Sequence, residues 1–186
     1  MRKRVIYAVV APTCMLAFAG PAFRASDDGA IRLHARLTGF QEVTPKLTSA
    51  TGDFTAVIDP TRTSVTFTLT YSPLSSPVLF SHIHFGQPGV NGGVMVFFCT
   101  NTTPPPNVPP PAPCPSPGGT VSGTLTAADV VGLNSGTSDQ GITPGSLDDV
   151  IRAIVSGQTY VNVHSQRWGG GEIRGRVRVR ADDEQH

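Results

Sequence analysis

Apolar and polar residues alternate along much of the chain from Ile31 onward. Every second residue is apolar between positions 33 and 37 and again between positions 65 and 71. A period of two is typical of a β-strand that packs one face on a core and turns the other towards water. Further segments with strand character are Asp53 to Asp59, Val78 to His84, Gly93 to Phe98, Thr120 to Thr126, Thr159 to His164 and Glu172 to Arg180. The pattern therefore predicts about eight short strands.

Turn-forming residues separate these segments, for example in Asp59-Pro60-Thr61 and in Pro88-Gly89-Val90-Asn91-Gly92. One segment has a helical pattern instead: Ser146 is a suitable N-cap, apolar residues follow at helical spacing, and Gly157 ends the pattern. Short strands joined by tight turns favour antiparallel pairing. We therefore expect an all-β fold, an antiparallel Greek-key-like β-sandwich or barrel of about eight strands with one short inserted helix.

The two ends of the chain differ from this β region. Residues 1–25 have the layout of a secretory signal peptide, with basic residues at the start, an apolar run, and small residues near its end. Residues 26–180 are expected to form one β domain, which carries a proline-rich loop at 102–117 and the helical insertion at 144–157, and residues 181–186 are expected to be a disordered tail. The sequence thus predicts a secreted, periplasmic or cell-envelope protein without a transmembrane segment in the mature chain.

The charge balance bears on the class of partner. The chain has 14 basic and 13 acidic residues, and loss of residues 1–19 would remove Arg2, Lys3 and Arg4, which leaves 11 basic residues and a formal charge of −2. Binding to nucleic acid needs a concentrated basic surface that neutralises phosphates. The composition therefore argues against nucleic acid as a partner.

Two of the three cysteines, Cys99 and Cys114, lie outside the predicted signal peptide. In an exported protein, an even pair that is close in sequence is more often bridged than free. The alternative, a pair of thiolate metal ligands, would need further ligands at short spacing, and the neighbouring sequence has none. We expect a disulfide between Cys99 and Cys114 that closes the base of the proline-rich loop.

Six short motifs occur in an order that resembles the CHRD domain family, the module repeated in the developmental antagonist chordin and found singly in bacterial exported proteins. The motifs are Leu37-Thr38-Gly39-Phe40-Gln41-Glu42-Val43, Ala50-Thr51-Gly52, His82-Ile83-His84 with Gly89-Val90-Asn91-Gly92, Ser122-Gly123-Thr124-Leu125-Thr126, Tyr160-Val161-Asn162-Val163-His164 and Gly171-Glu172-Ile173-Arg174-Gly175. The resemblance implies an extracellular β-sandwich whose biochemical role is not established. The function expected on this basis is a non-enzymatic binding module whose partner is an unidentified extracellular protein or surface ligand.

Three histidines in these motifs suggest a second function. His82 and His84 are two residues apart, so in a strand their side chains share one face and lie about 6.5–7 Å apart along the chain. His164 would add a third imidazole if its strand were a neighbour. Three imidazoles suit copper or zinc better than calcium or magnesium, which prefer oxygen ligands. The alternative function is therefore the binding of copper or zinc by these three histidines, either with or without redox activity.

The segment around His82 and His84 also resembles the copper-binding strands of copper/zinc superoxide dismutase. That enzyme needs a bridging histidine and a histidine-rich zinc loop, and this chain has only His34 and His186 besides the three already named. The missing histidines argue against full dismutase activity and leave a mononuclear site as the alternative.

A structural role for the three histidines remains open at this point. In that interpretation they form a hydrogen-bonded polar cluster whose ring nitrogens are satisfied by Asn162, Glu172 or Arg174. These three residues and Glu42, which belongs to the first motif, are the candidate supporting residues of the site. The sequence has no nucleophile elbow and no phosphate-binding loop, so no catalytic residue is predicted.

Overall fold

The structure is a computed structural model that describes residues 29–133 and 139–180. The predicted signal peptide at 1–25 and the predicted tail at 181–186 lie outside the described residues. The described residues contain nine strands: β1 (Ile31–Thr38), β2 (Thr51–Ile58), β3 (Val65–Tyr71), β4 (Val78–Phe85), β5 (Gly93–Thr100), β6 (Gly119–Leu125), β7 (Thr159–Ser165), β8 (Ile173–Arg176) and β9 (Arg178–Val179).

The strands form one antiparallel sheet in the order β5-β4-β7-β8-β1-β2-β3-β6, with β9 paired to β1. The outer strands β5 and β6 approach each other, so the sheet is a nearly closed barrel. Strands that are neighbours in the sheet are often distant in sequence, as β4 and β7 are, which is the Greek-key feature. The prediction of an all-β antiparallel fold is therefore confirmed.

Alternation along the strands separates a core face from an outer face. In β3 every second residue is buried, beginning with Val65 and ending with Tyr71. In the core, the ring of Phe98 packs against the rings of Phe54 and Phe67, with centroid distances of 5.2 Å and 4.7 Å. Tilted aromatic contacts at this distance add to the burial of apolar area that holds the two sides of the barrel together.

The predicted last strand, Glu172 to Arg180, is divided into β8 and β9. The interruption lies at Val177, whose N–H donates to the carbonyl oxygen of Thr159 (3.0 Å). Thr159 is the first residue of β7, so β7 offers no further residues to pair with beyond this point. The chain then pairs with β1 alone, and Arg178 lies opposite His34.

The predicted helical insertion is α1 (Leu147–Val155). The hydroxyl of Ser146 accepts a hydrogen bond from the N–H of Asp149 (3.3 Å), which caps the first turn. Val150, Ile151 and Ile154 are buried on one side of the helix. The single short helix expected from the sequence is thus present.

The sulfurs of Cys99 and Cys114 lie 2.06 Å apart, as expected for the predicted disulfide. The side chain of Asn101 reinforces this closure, because its Nδ2 donates to the carbonyls of Val78 and Cys114 (3.0 Å each) and its Oδ1 accepts from the N–H of Cys114 (3.0 Å). The proline-rich loop is therefore attached at its base to β4 and β5.

Among the described residues, no helix has the length and apolar character needed to cross a bilayer.

Candidate metal centre

The three candidate histidines and several of their candidate supporting residues lie on the face of β4, β7 and β8 that points away from the core. Because opposite residues of an antiparallel pair share a face, the register places His82 beside Asn162, and His84 beside Tyr160, while Asn162 lies beside Arg174. His164 follows on the same face of β7. We call this surface, with His82, His84, Tyr160, Asn162, His164 and Arg174, the histidine face.

The histidine face is buried although it points away from the core. Ile83, Val161 and Val163 face the core on the other side of the same strands and are fully buried there. The loops at 39–50, 86–92 and 166–172 cover the histidine face, since each of them bonds to a residue on it. All seven residues of β7 are buried for this reason, which explains why polar side chains alternate with valines in a strand without a solvent face.

The three histidines of this face converge. The ring centroid of His82 lies 4.5 Å from that of His84 and 4.6 Å from that of His164. Each of the three histidines has one ring nitrogen that lies within 4.8 Å of a ring nitrogen of both other histidines. The register of β4 against β5 shifts between Ser81 and His82 and again between Ile83 and His84. Such bulges re-aim side chains, and here they lie on either side of His82.

Hydrogen bonds determine which nitrogens face the centre. The Nδ1–H of His84 donates to the carbonyl of Gly92 and the Nδ1–H of His164 donates to the carbonyl of Gly169, both at 2.8 Å. Because a carbonyl can only accept, Nδ1 carries the proton in both rings and Nε2 presents a lone pair. Within residues 29–133 and 139–180, these two Nε2 atoms and Nδ1 of His82 are buried without a hydrogen-bond partner.

Burial keeps the three rings neutral. His82, His84 and His164 are only 3%, 8% and 6% exposed, respectively. Burial lowers the pKa of His84 to about 4 and that of His164 to about 4, and it lowers the pKa of His82 well below its usual value, with the other two histidines adding to the effect. Neutral imidazole is the form that binds a metal ion.

Aromatic rings enclose the histidines. The ring of Phe80 lies 5.2 Å from that of His82 and 4.6 Å from that of His164, and the ring of Phe97 lies 5.0 Å from that of His82. Tyr160 covers His84 with a centroid distance of 4.5 Å. These contacts restrict the rotamers of the three imidazoles and keep their surroundings largely apolar.

Arg174 and Glu42 form a buried ion pair next to the histidines. The Nε of Arg174 donates to Oε2 of Glu42 (3.0 Å), and its guanidinium also lies over the ring of Tyr160, 3.8 Å from the centroid. Burial raises the pKa of Glu42, and the positive charge of Arg174 opposes that shift without overcoming it. A second bond, from Arg174 to the carbonyl of Val90 (3.2 Å), connects the pair to the loop at 86–92.

Glu172 is placed differently from the other supporting candidates. Its Oε1 accepts from the hydroxyl of Thr48 and from the N–H of Ser75 (2.9 Å each), and its Oε2 accepts from the hydroxyl of Ser75 (3.0 Å). Glu172 therefore ties the loop at 39–50 to the segment before β4. In the polar-cluster interpretation Asn162, Glu172 or Arg174 would satisfy the ring nitrogens, and of these three the structure pairs Glu172 and Arg174 with other groups.

A cavity of about 450 Å³ lies beside the histidine face. Tyr160, Arg174 and Glu42 line it from the side of the histidines, and Phe40, Pro45 and Pro88 line it from the covering loops. Tyr160 thus contacts His84 with one face of its ring and borders the cavity. Phe40 is 67% exposed at the rim.

Sequence reasoning missed several residues of this site. The carbonyls of Gly92 and Gly169 hold two of the histidines, yet a backbone acceptor leaves no mark on residue type. The glycines do provide a signal in retrospect: an added Cβ at Gly92 would overlap the backbone of Phe85, so only glycine lets the loop at 86–92 approach β4 this closely. Tyr160 was visible as part of a motif, but its stacking on His84 depends on the register of β4 with β7.

Comparison with known families gives one match. The family model of the CHRD domain matches residues 33–177, which include most of β1 and all of β2 to β8 and end just before β9. Searches of the curated proteins and of the solved structures found no match to the chain.

Proposed function

Because the chain belongs to the CHRD domain family, we propose that it is an exported CHRD module that holds one metal ion, copper in preference to zinc, through His82, His84 and His164. The observation that carries this proposal is the convergence of three buried, neutral imidazoles whose inward nitrogens have no hydrogen-bond partner within the described residues. Leaving a buried polar atom unpaired costs about 1–3 kcal/mol, so three such atoms at one point need a common explanation.

The geometry supports a metal ion with little rearrangement. Bonds of about 2.0–2.1 Å at trigonal or tetrahedral angles separate ligand nitrogens by roughly 3.4 Å. The nitrogens lie within 4.8 Å of one another, so the rings need to approach by no more than about 1.5 Å. The bonds from Nδ1 of His84 and His164 to backbone carbonyls orient these rings as the outer-shell partners of metal-binding histidines do.

Charge and enclosure favour copper. The three donors are neutral, and the nearby carboxylate of Glu42 is already paired with Arg174. Because these ligands are neutral, a divalent ion such as Zn²⁺ would remain doubly charged in the buried site, whereas Cu(I) carries a single charge. The free-energy cost of moving an ion out of water grows with the square of its charge, so the site favours Cu(I). Copper also has the highest affinity of the first-row divalent ions for nitrogen ligands.

Metal analysis tests this function. We expect one copper per chain after reconstitution and dialysis, and at least about 100-fold weaker binding for His82→Ala, His84→Ala and His164→Ala, measured by competition with a chromophoric Cu(I) chelator. His34 is the matched control, because it is an exposed histidine on β1 outside the site, and His34→Ala should bind like the wild type. Circular dichroism establishes that each variant is folded. Stoichiometric copper in folded His82→Ala would contradict the ligand assignment, and preferential retention of zinc would contradict the choice of metal.

A second candidate function is the interaction module that the family resemblance implies. It is supported by two exposed apolar residues on the loop at 39–50: Phe40, which lines the cavity and is 67% exposed, and Leu47, which is 86% exposed. Exposed apolar residues next to a cavity are typical of binding surfaces. The two functions are compatible, because the loops that cover the histidines also carry this surface.

Site-directed photocrosslinking in the exporting cell tests the second candidate. A photoreactive residue in place of Phe40 should give a defined adduct, while the same residue in place of Val57, which is exposed on β2 away from the loops, should not. Equal labelling at both positions, or none at Phe40, would contradict a binding role for the loop surface.

A further inference from the structure

Asn162 occupies the centre of the histidine face. It lies directly opposite His82 on one side and opposite Arg174 on the other, and it precedes His164 by two residues on the same face of β7. Opposite residues in an antiparallel pair have their Cβ atoms about 4.5–5.5 Å apart. The short side chain of Asn162 therefore starts between two of the proposed ligands, and the residue is only 1% exposed.

The amide of Asn162 has an unsatisfied oxygen. In the described part of the chain, Oδ1 of Asn162 is buried without a hydrogen-bond partner, as are the inward nitrogens of the three histidines. Nε2 of His84 and Nε2 of His164 present lone pairs, because Nδ1 holds the proton in both rings. Three buried lone pairs without a hydrogen-bond partner, those of Oδ1 of Asn162 and of Nε2 of His84 and His164, therefore lie on the histidine face.

The neighbours of Asn162 differ on its two sides. His82 lies opposite it on β4, and Arg174, which is paired with Glu42, lies opposite it on β8. An amide oxygen on the β4 side is therefore next to the histidines, and an NH₂ group on the β8 side is next to the ion pair.

A group of lone pairs is satisfied by a cation. One water molecule has two hydrogens and could serve at most two of these acceptors. A bound copper ion accepts electron pairs from all of them, and an amide oxygen is a known type of weak axial ligand at copper held by three stronger donors. We propose that Oδ1 of Asn162 is the fourth ligand of the copper ion, an inference that rests on the proposed three-histidine site. As a weak oxygen donor, it would stabilise Cu(II) relative to Cu(I) and so set the ratio of the two affinities.

Substitution of Asn162 tests this assignment. Asn162→Leu keeps the branching of the side chain at Cγ and removes the oxygen, and Asn162→Asp keeps an oxygen and adds charge. We expect Asn162→Leu to bind Cu(I) nearly as the wild type does and Cu(II) at least about tenfold more weakly, with a changed Cu(II) electron paramagnetic resonance spectrum. Asn162→Asp should shift the Cu(II)/Cu(I) affinity ratio in the opposite direction.

The outcomes separate this inference from the function on which it rests. Wild-type protein without bound copper would overturn both. Copper binding with an affinity ratio and a spectrum that are unchanged in Asn162→Leu and Asn162→Asp would overturn the fourth ligand alone. A role in packing would weaken Cu(I) and Cu(II) binding equally and leave the ratio unchanged, so it would also overturn the assignment. If Asn162→Leu does not fold, the direction of the shift in Asn162→Asp decides.

Discussion

The ring of Tyr160 lies nearly parallel to the ring of His84, with the planes inclined by 11° and the centroids 4.5 Å apart. The same tyrosine accepts a hydrogen bond through its hydroxyl from the N–H of Gly92 (3.2 Å), and the carbonyl of Gly92 accepts from Nδ1 of His84 (2.8 Å). Tyr160 therefore restrains His84 in two ways, directly through its ring and indirectly through the loop at 86–92.

Substitutions of Tyr160 should separate these two restraints. Tyr160→Phe keeps the stacked ring and loses one hydrogen bond of about 1 kcal/mol, so its copper affinity should fall by less than about tenfold. Tyr160→Leu loses the stacking as well, and its affinity should fall by about 10- to 100-fold, as for other outer-shell changes. Chelator competition at neutral pH measures both. Equal affinities of Tyr160→Leu and the wild type would show that the stacking does not position His84.

Gly171 is expected to tolerate no side chain. Its φ is 121°, in the region that favours glycine, and an added Cβ would overlap the carboxylate of Glu42. Gly171→Ala should lower the free energy of unfolding by about 1–3 kcal/mol in denaturant titrations. Gly170 is the matched control: no described atom lies within 4 Å of its would-be Cβ, and Gly170→Ala should change stability by less than about 0.5 kcal/mol. Similar losses for both variants would contradict the explanation.

Glu172 should matter for stability and not for metal stoichiometry. Its carboxylate is fully buried and accepts three hydrogen bonds from Thr48 and Ser75. Glu172→Gln replaces one acceptor oxygen with an NH₂ group that faces these donors, and we expect a loss of about 2–4 kcal/mol in chemical unfolding. Folded Glu172→Gln should still bind one copper. Loss of the metal from a folded variant would assign Glu172 to the site.

Asp59 should make the protein sensitive to acid. Its carboxylate accepts from the hydroxyl of Thr61 and from the N–H of Ser64, and the bond from the Thr61 hydroxyl is the largest cause that lowers the pKa of Asp59, to about 2. Because the unfolded chain binds this proton near the ordinary pKa of 3.8, the stabilisation is present above pH 3.8 and is lost as the pH falls towards 2.

Asp59→Asn tests this pH dependence. The variant has no carboxylate to protonate, so its stability should fall less between pH 3.8 and pH 2 than that of the wild type, in urea titrations at a series of pH values. It should also be less stable than the wild type at neutral pH, because an amide is a weaker acceptor than a carboxylate. Parallel pH profiles would show that Asp59 is not responsible.

Several elements could be predicted because the physical information is local. Alternation in residues 31–38 and 65–71 is a property of each strand alone, and it predicted β1 and β3 closely. The capping residue Ser146 and the apolar spacing after it predicted α1 for the same reason. The division of the last strand at Val177 was missed, because it depends on where the partner strand β7 begins.

The roles of the charged residues near the site depended on distant segments. Glu172 and Arg174 are two residues apart in an alternating segment, yet one bonds to Thr48 and Ser75 and the other to Glu42. Nothing within residues 171–175 distinguishes these partners, since they come from loops more than 90 residues away in sequence.

The sequence by itself determined that His82 and His84 share a face, because side chains two apart in a strand point the same way. It also determined the family, through six motifs in order. Only the tertiary structure decided that β7 lies next to β4, which brings His164 and Asn162 to the same point. The physical reason is that strand periodicity specifies which face a residue occupies, whereas the choice of neighbouring strand depends on how the whole sheet closes around its core.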